Sequence, residues 1–108
     1  MVEVKKQEGH NLRVVMVEDQ DDAKQALVEV GADQPGIGWM SPKAVYRVIR
    51  VKKLNSKAAI ILKQEMLSRG GEAALSRGVG NFSVGETDVL LMGTLRQYSE
   101  LCKKLKMQ

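Results

Sequence analysis

Cysteine, histidine and aromatic residues are scarce in this sequence, and each scarcity excludes a class of protein. Cys102 is the only cysteine, so no disulfide can form within the chain. His10 is the only histidine, and one histidine with one cysteine cannot supply the three or four ligands of a zinc site. Aromatic residues make up 4% of the chain, too few for a platform on which single-stranded nucleic acid would stack. We therefore expect no metal and no cofactor, and we disfavour nucleic acid as a partner.

Long apolar runs are also missing. No window approaches the ~18 apolar residues of a membrane-spanning helix. The first six residues, Met1–Lys6, lack the apolar stretch of a signal peptide. A small chain without disulfides also fits a reducing compartment. These features predict a cytoplasmic protein with no membrane partner.

The remaining composition is that of an ordinary globular protein. The chain has 108 residues, of which 44% are apolar and 28% charged, enough for one hydrophobic core. We expect residues 1–11 to form a frayed polar lead-in and residues 12–108 to form a single domain. The net charge of +4 leaves binding to a small anion or to nucleic acid open as an alternative function.

The hydrophobic pattern predicts an α/β fold with the order β-α-β-β-α-β-β-α, in which about three helices pack on a mixed sheet. The strands are expected over residues 12–18, 37–40, 44–52, 72–79 and 88–92. The helices are expected between residues 19 and 31, from 55 or 56 to about 69, and from 94 to 106.

Capping signals mark the ends of these helices. Asp19 and Thr94 are suited to cap helix N-termini, and Gln97 completes a capping box with Thr94. Gly31 and the pair Gly70-Gly71 are suited to the left-handed conformation that ends a helix. The helix boundaries are therefore predicted from local chemistry alone.

Motifs of known chemistry are incomplete in this chain. The segment Arg13–Asp19 is similar to the start of a receiver domain, but the matching phosphoacceptor aspartate is absent near Lys57–Ile60. The glycine-rich segment Gly78–Gly85 lacks the spacing of a phosphate-binding loop. Cys102 lies on the apolar stripe of the last helix, which favours a buried structural thiol over a nucleophile. We therefore predict no catalytic residue.

Two groups of charged residues are candidates for binding. The first could line an anionic ligand site, and it consists of Lys63, Glu65, Arg69, Glu72 and Arg77. The alternative is that these residues form a solvated helix face. A further hypothesis for the function of the chain, an independent enzyme, rests on this cluster alone. The second is a basic strip formed by Lys43, Arg47, Arg50, Lys52 and Lys53. We interpret this strip as protection of a sheet edge against aggregation.

Two apolar residues are candidates for docking a partner. Ile61 projects away from the stripe that the second helix turns towards the core, and Trp39 lies in a segment rich in glycine and proline. The alternative for Ile61 is a core position in a sheet with helices on both faces. Replacing Ile61 with alanine distinguishes the two, because a core residue stabilises the fold strongly.

Three segments resemble the N-terminal extension of dihydropteroate synthases from clostridia-like bacteria. They are Met40–Ile49, Ala59–Ala74 and Glu86–Tyr98, and the resemblance extends over roughly residues 12–106. These transferases join a pterin pyrophosphate to p-aminobenzoate in folate biosynthesis, and their chemistry resides in a (β/α)₈ barrel of about 250 residues. This chain is too short to contain that barrel.

The resemblance implies a non-catalytic accessory or interaction domain. Its expected partner is a dihydropteroate synthase-type barrel, joined to it in cis or bound in trans. Gly70-Gly71-Glu72 is followed by alanines rather than by the residues of the barrel's own Gly-Gly-Glu motif, so no catalytic residue is carried over. We therefore expect no synthase activity from this chain alone.

Overall fold

The computed structural model describes residues 4–7, 10–81 and 83–106, with side chains from residue 11 onwards. Two compact units make up the chain, residues 1–45 and residues 46–108. The assignment of residues 1–11 to a lead-in and of residues 12–108 to a single domain stays a prediction, because compactness does not decide whether two units unfold together.

The first unit contains a two-stranded hairpin followed by two helices. Its elements are β1 (Val4–Gln7), β2 (His10–Arg13), α1 (Gln20–Glu29), α2 (Gln34–Met40) and a 3-10 helix (Ser41–Lys43). β1 pairs with β2 in antiparallel register. Ala23 of α1 and Ile37 of α2 are buried, and the Gln20 amide donates to the buried hydroxyl of Ser41 at 3.1 Å.

The predicted strand over residues 12–18 is wrong beyond Arg13. Arg13, which pairs with Val4, is the last residue of β2, and residues 14–18 have no regular structure. Val14, Val15 and Met16 are each about half exposed. A β-branched run forms a strand only where a neighbouring strand supplies hydrogen bonds, and none of the residues that the structure describes pairs with residues 14–18.

The predicted strand over residues 37–40 is also wrong, because this segment belongs to α2. The carboxylate of Asp33 accepts a hydrogen bond from the backbone N–H of Gly36 at 2.6 Å and so caps the helix. Pro35 lies in the first turn, where its fixed φ favours the helical conformation. These two start signals outweigh the low helix propensity of Gly36 and Gly38.

The second unit is a three-stranded antiparallel sheet with two helices. Its elements are β3 (Tyr46–Asn55), α3 (Ser56–Ser68), β4 (Glu72–Leu75), a 3-10 helix (Arg77–Val79), β5 (Glu86–Thr94) and α4 (Leu95–Lys106). The strand order is β3-β5-β4. β3 and β4 run in the same direction and are joined by α3, but β5 lies between them, so every hydrogen-bonded pair is antiparallel.

This arrangement confirms the α/β class and corrects three details. The expected mixed sheet is wrong, because β5 separates the two parallel strands. The described residues contain four α-helices instead of about three, and the order is β-β-α-α-β-α-β-β-α. The predicted strand over residues 72–79 ends at Leu75, since a 3-10 helix begins at Arg77.

The predicted left-handed glycines are confirmed at the ends of α1 and α3. Gly31 has φ +83° and Gly70 has φ +85°. The N–H of Gly31 donates to the carbonyl of Val28 at 2.9 Å, and that of Gly70 donates to Leu67 at 3.0 Å. A side chain with a Cβ would strain the backbone at either glycine, so both ends depend on glycine.

The predicted capping box of α4 is confirmed as well. The N–H of Thr94 donates to the side-chain oxygen of Gln97 at 2.8 Å, and the N–H of Gln97 donates to the Thr94 hydroxyl at 3.2 Å. The Gln97 amide also donates to the carbonyl of Arg69 at 3.0 Å. The start of α4 is thereby fastened to the end of α3.

The core of the second unit lies between the sheet and its two helices. Its buried residues are Ala59, Met66, Ala73, Val89, Leu91 and Leu101. On α4, Leu101 is buried and the neighbouring Cys102 is exposed, so the prediction of a buried thiol is wrong.

Candidate functional site

The five residues of the predicted anionic-ligand cluster lie on three elements of the second unit. Glu65 and Arg69 form an ion pair of 3.0 Å on α3, in which both side chains are more than four-fifths buried. Lys63 is half-buried on the same helix. Glu72 begins β4, and its carboxylate accepts from the N–H of Ala73, whereas Arg77 is exposed in the 3-10 helix. The role of these five residues in ligand binding stays a prediction.

Arg69 contributes instead to a basic cleft between the end of α3 and the middle of α4. The cleft has a volume of about 470 Å³, and it is lined by Ser68, Arg69, Glu100, Lys103 and Lys104. Arg69 donates through Nη1 to Glu65 and to Ser68, but its buried Nε has no hydrogen-bond partner among the residues that the structure describes. Glu100 pairs with Arg96 at 3.3 Å. The two lysines therefore leave the cleft positively charged.

One face of the three-stranded sheet is not covered by α3 and α4. Residues of β5 alternate, so that Val89 and Leu91 face the helices while Leu90 and Met92 face the opposite side. Leu90 lies in register with Arg50 and Ala74, and Met92 with Val48 and Glu72. We call this side the open face. Tyr46 and Val48 are each 57% exposed on it.

Strand β3 contains a bulge, and a groove lies beside this bulge on the side of the sheet that faces the helices. Val51 pairs with Val89 but Leu54 pairs with Thr87, so β3 carries one extra residue. Lys53 takes up the distortion in the left-handed conformation, with φ +53°. Residues three apart in a regular strand face opposite sides, and the bulge brings Val51 and Leu54 to the same side.

Asp88 fastens this bulge. Its carboxylate accepts from the N–H of Lys53 at 3.0 Å and from the Arg50 guanidinium at 2.7 and 3.0 Å. The hydrogen bond from the Lys53 backbone, followed by that from Arg50, holds the pKa of Asp88 below its ordinary value of 3.8. Because the pKa is lowered in the folded state, the ionised carboxylate stabilises the fold at pH values above the ordinary pKa. This stabilisation is lost as the pH falls through the folded-state pKa.

Replacing Asp88 with asparagine is expected to lower the thermal midpoint at neutral pH. The difference is expected to disappear as the pH falls through the folded-state pKa of Asp88, which lies below 3.8, because the native carboxylate then also loses its charge. Thermal unfolding of both proteins across this pH range measures the difference. Glu86→Gln is the matched control, because Glu86 is an exposed carboxylate of the same strand. A destabilisation by Asp88→Asn that is equal at every pH would contradict the electrostatic account of the bulge.

The groove beside the bulge is almost wholly apolar. Its volume is about 320 Å³, and its lining consists of Val51, Leu54, Ala58, Ile61, Leu62 and Leu105. Three elements meet here, the bulged end of β3, the first half of α3 and the last turn of α4. Ile61 is 47% exposed and Leu105 is 39% exposed. We call this the apolar groove, and it contains one of the two predicted docking residues.

The other predicted docking residue, Trp39, lies on α2 in the first unit. It is 58% exposed, and the ammonium group of Lys43 lies 5.7 Å from the centre of its ring. That distance is within the range of a cation–π interaction. Trp39 therefore presents an accessible indole, and its role in docking stays a prediction.

Among the described side chains, no three His, Cys, Asp or Glu residues gather at a point where a metal ion could bind. Burial raises the pKa of Tyr98, and its hydroxyl donates to the carbonyl of Arg47 at 2.8 Å. Asp88 and Tyr98, whose pKa values are perturbed, thus both bind backbone groups. No helix in the described part of the chain has the length and apolarity to cross a bilayer.

A curated protein of Halobacterium salinarum is similar to this chain. It is named a probable bifunctional folylpolyglutamate synthase/dihydropteroate synthase, and the two are 37% identical over 89 residues. The match covers 82% of this chain and 11% of the relative, so the chain spans about a ninth of the relative's length. No family model and no solved structure matches the chain. The chain is therefore a distant partial homologue of that bifunctional protein.

Proposed function

We propose that this chain is a non-catalytic interaction domain of a dihydropteroate synthase-type protein and acts in the cytoplasm. The partner is the catalytic barrel, joined to the domain in cis or bound in trans. In this proposal the chain corresponds to the N-terminal extension of the clostridia-like bacterial type. The 37% identity to a small part of a bifunctional relative supports the proposal.

The observation that carries the proposal is the apolar surface of the second unit. Tyr46, Val48 and Leu90 are exposed on the open face, and Ile61 and Leu105 are exposed at the apolar groove. Surfaces of this kind on a small domain mark places where another protein surface packs. A domain that serves docking also needs no arrangement of nucleophile, base and acid.

The first experiment measures complex formation between this chain and the dihydropteroate synthase barrel encoded by the same genome, produced as a separate chain. Sedimentation velocity is expected to show a one-to-one complex, because the exposed apolar surface becomes buried on association. If the two chains sediment independently at micromolar concentrations, the proposed function is wrong.

An activity assay provides the second arm of this test. The isolated chain is expected to form no dihydropteroate from the pterin pyrophosphate and p-aminobenzoate, and the barrel with and without the chain is the control. Turnover by the chain alone would contradict a purely docking role.

The basic cleft favours a second candidate function, a module that binds a small anion. Lys103 and Lys104 supply positive charge there, and the guanidinium of Arg69 also lines the cleft. Guanidinium and ammonium groups together recognise phosphate oxygens. Titration with inorganic pyrophosphate, followed by the amide NMR shifts of the cleft residues, separates the two functions. Saturable binding that Lys103→Ala and Lys104→Ala weaken, in a protein that forms no complex with the barrel, would favour this candidate.

A further inference from the structure

The shape of the apolar groove is set by the bulge in β3 and by the helices beside it. The bulge turns Leu54 to the side of Val51, and the bond from Lys53 to Asp88 fixes that turn. Ile61 and Leu105 form the exposed borders of the groove from two different helices. Because its walls belong to regular elements, the groove offers a preformed surface for an apolar side-chain row.

The chain segment that forms most of the groove is basic. Residues 50–64 include five basic residues and no acidic residue: Arg50, Lys52, Lys53, Lys57 and Lys63. Lys106 follows the groove residue Leu105 and is exposed, as are Lys52, Lys53 and Lys57. Arg50 is paired with Asp88, and Lys52 follows Val51 and so faces the side of the sheet opposite the groove. Lys57, one helical turn before Ile61 on α3, and Lys106, next to Leu105 on α4, are the exposed lysines beside the groove.

We infer that the apolar groove receives an amphipathic helix whose apolar row is flanked by carboxylates. This inference rests on the proposed function and specifies the partner segment through which the synthase-type protein binds. An apolar helix face fits a groove between elements, and flanking carboxylates pair with the surrounding lysines. A second copy of this chain is disfavoured, because it would bring the lysines of two grooves together.

The test uses two synthetic peptides of about fourteen residues, roughly four helical turns. Both carry leucines at helical spacing, and the leucines are flanked by glutamates in one peptide and by lysines in the other. Fluorescence anisotropy with the full chain is expected to show at least about tenfold tighter binding of the glutamate peptide at low salt. The difference is expected to shrink as salt screens the charges. Equal binding of the two peptides, or no binding of either, would overturn the inference.

Two variants place the binding in the groove. Ile61→Glu is expected to weaken binding of the glutamate peptide by about tenfold or more, since it puts a charge on the apolar border. Leu67→Glu is the matched control, because Leu67 is 43% exposed on the same helix outside the groove. Equal loss of binding in the two variants would contradict the claim that the peptide binds in the apolar groove. Circular dichroism of both variants shows that each is folded.

Reversal of the surrounding charge tests the second part of the inference. The double variant Lys57→Glu, Lys106→Glu is expected to reverse the preference towards the lysine peptide. Lys24→Glu on α1 is the control and should leave the preference unchanged. An unaltered preference in the double variant would overturn the electrostatic part.

Two other occupants of the groove are outcomes of the same experiment. Concentration-dependent dimerisation that Ile61→Glu abolishes would assign the groove to a second copy. Binding to vesicles of phosphatidylcholine and phosphatidylglycerol that Ile61→Glu abolishes would assign it to a lipid surface. Either result overturns the inference. Failure with the peptides while the barrel complex still forms would leave the proposed function standing, so the two failures are distinguishable.

Discussion

Replacing Met66 with alanine is expected to lower the free energy of unfolding by about 2–5 kcal/mol. Met66 is 0% exposed and is the largest of the fully buried side chains among the residues that the structure describes. It belongs to the core cluster that joins α3 to β4, β5 and α4. Its removal takes away buried apolar surface and leaves a cavity in this cluster.

The surroundings of Met66 cannot close around the cavity easily. A Cβ placed on Gly71 would lie 2.6 Å from the Met66 methyl group and 2.9 Å from the carbonyl oxygen of Met92, and a Cβ on Gly93 would also collide with that methyl. The methionine thus occupies space that two glycines leave beside the backbone. Backbone atoms shift less readily than side chains, so much of the cavity remains.

Equilibrium unfolding in urea measures the cost of Met66→Ala. Leu67→Ala is the matched control from the next position of α3, where the side chain is 43% exposed, and its cost should stay within about 1 kcal/mol. A change of less than about 0.5 kcal/mol for Met66→Ala would show that α3 does not pack on the sheet as described.

Replacing Ile61 with alanine is expected to change the free energy of unfolding by less than about 1 kcal/mol. Association with the synthase barrel should nevertheless weaken by about tenfold to thirtyfold, the size of effect typical of an interface anchor. The reason is that Ile61 is 47% exposed at the border of the apolar groove and loses little contact within the chain itself. Urea unfolding and isothermal titration with the barrel chain measure the two effects.

Leu67→Ala again supplies the control for Ile61→Ala, because both side chains are aliphatic and similarly exposed on α3. It should affect neither measurement strongly. A loss of several kcal/mol of stability by Ile61→Ala, with undiminished association at low temperature, would return Ile61 to the core and remove it from docking.

The helix ends were predictable because they depend on short-range chemistry. Asp19 accepts from the N–H of Asp22, and Gly31 and Gly70 adopt the left-handed conformation that their positions require. Thr94 and Gln97 form both bonds of the capping box. Each of these signals lies within a few residues of the bond that it makes, so no knowledge of the fold is needed.

The strands were less predictable because their partners lie far away in sequence. The apolar run at Val14–Met16 pairs with no strand in the described part of the chain, and β5 separates β3 from β4 although it follows both in the chain. The basic strip was interpreted as edge protection, and β3 is indeed an edge strand of the sheet that carries Arg47, Arg50, Lys52 and Lys53.

The candidate site shows the same division. Helical spacing alone indicated that Ile61 faces away from the core stripe. The rest of the groove depends on the bulge at Lys53 and on Leu105 of α4, and no local signal announces either. The sequence also grouped Arg69 with its neighbours in the chain, whereas the basic cleft combines it with Lys103 and Lys104 of another helix.

Amide hydrogen exchange of this chain, free and mixed with the synthase barrel, tests the central claim most directly. Docking at the apolar groove predicts slower exchange over residues 51–62 and in the last turn of α4, because a bound partner shields these amides and opposes local opening. The centre of β5 is the control region, because its amides are already hydrogen-bonded within the sheet, and it should exchange at the same rate in the free chain and in the mixture. Unchanged exchange throughout the groove in the presence of saturating barrel would contradict the claim that this domain docks there.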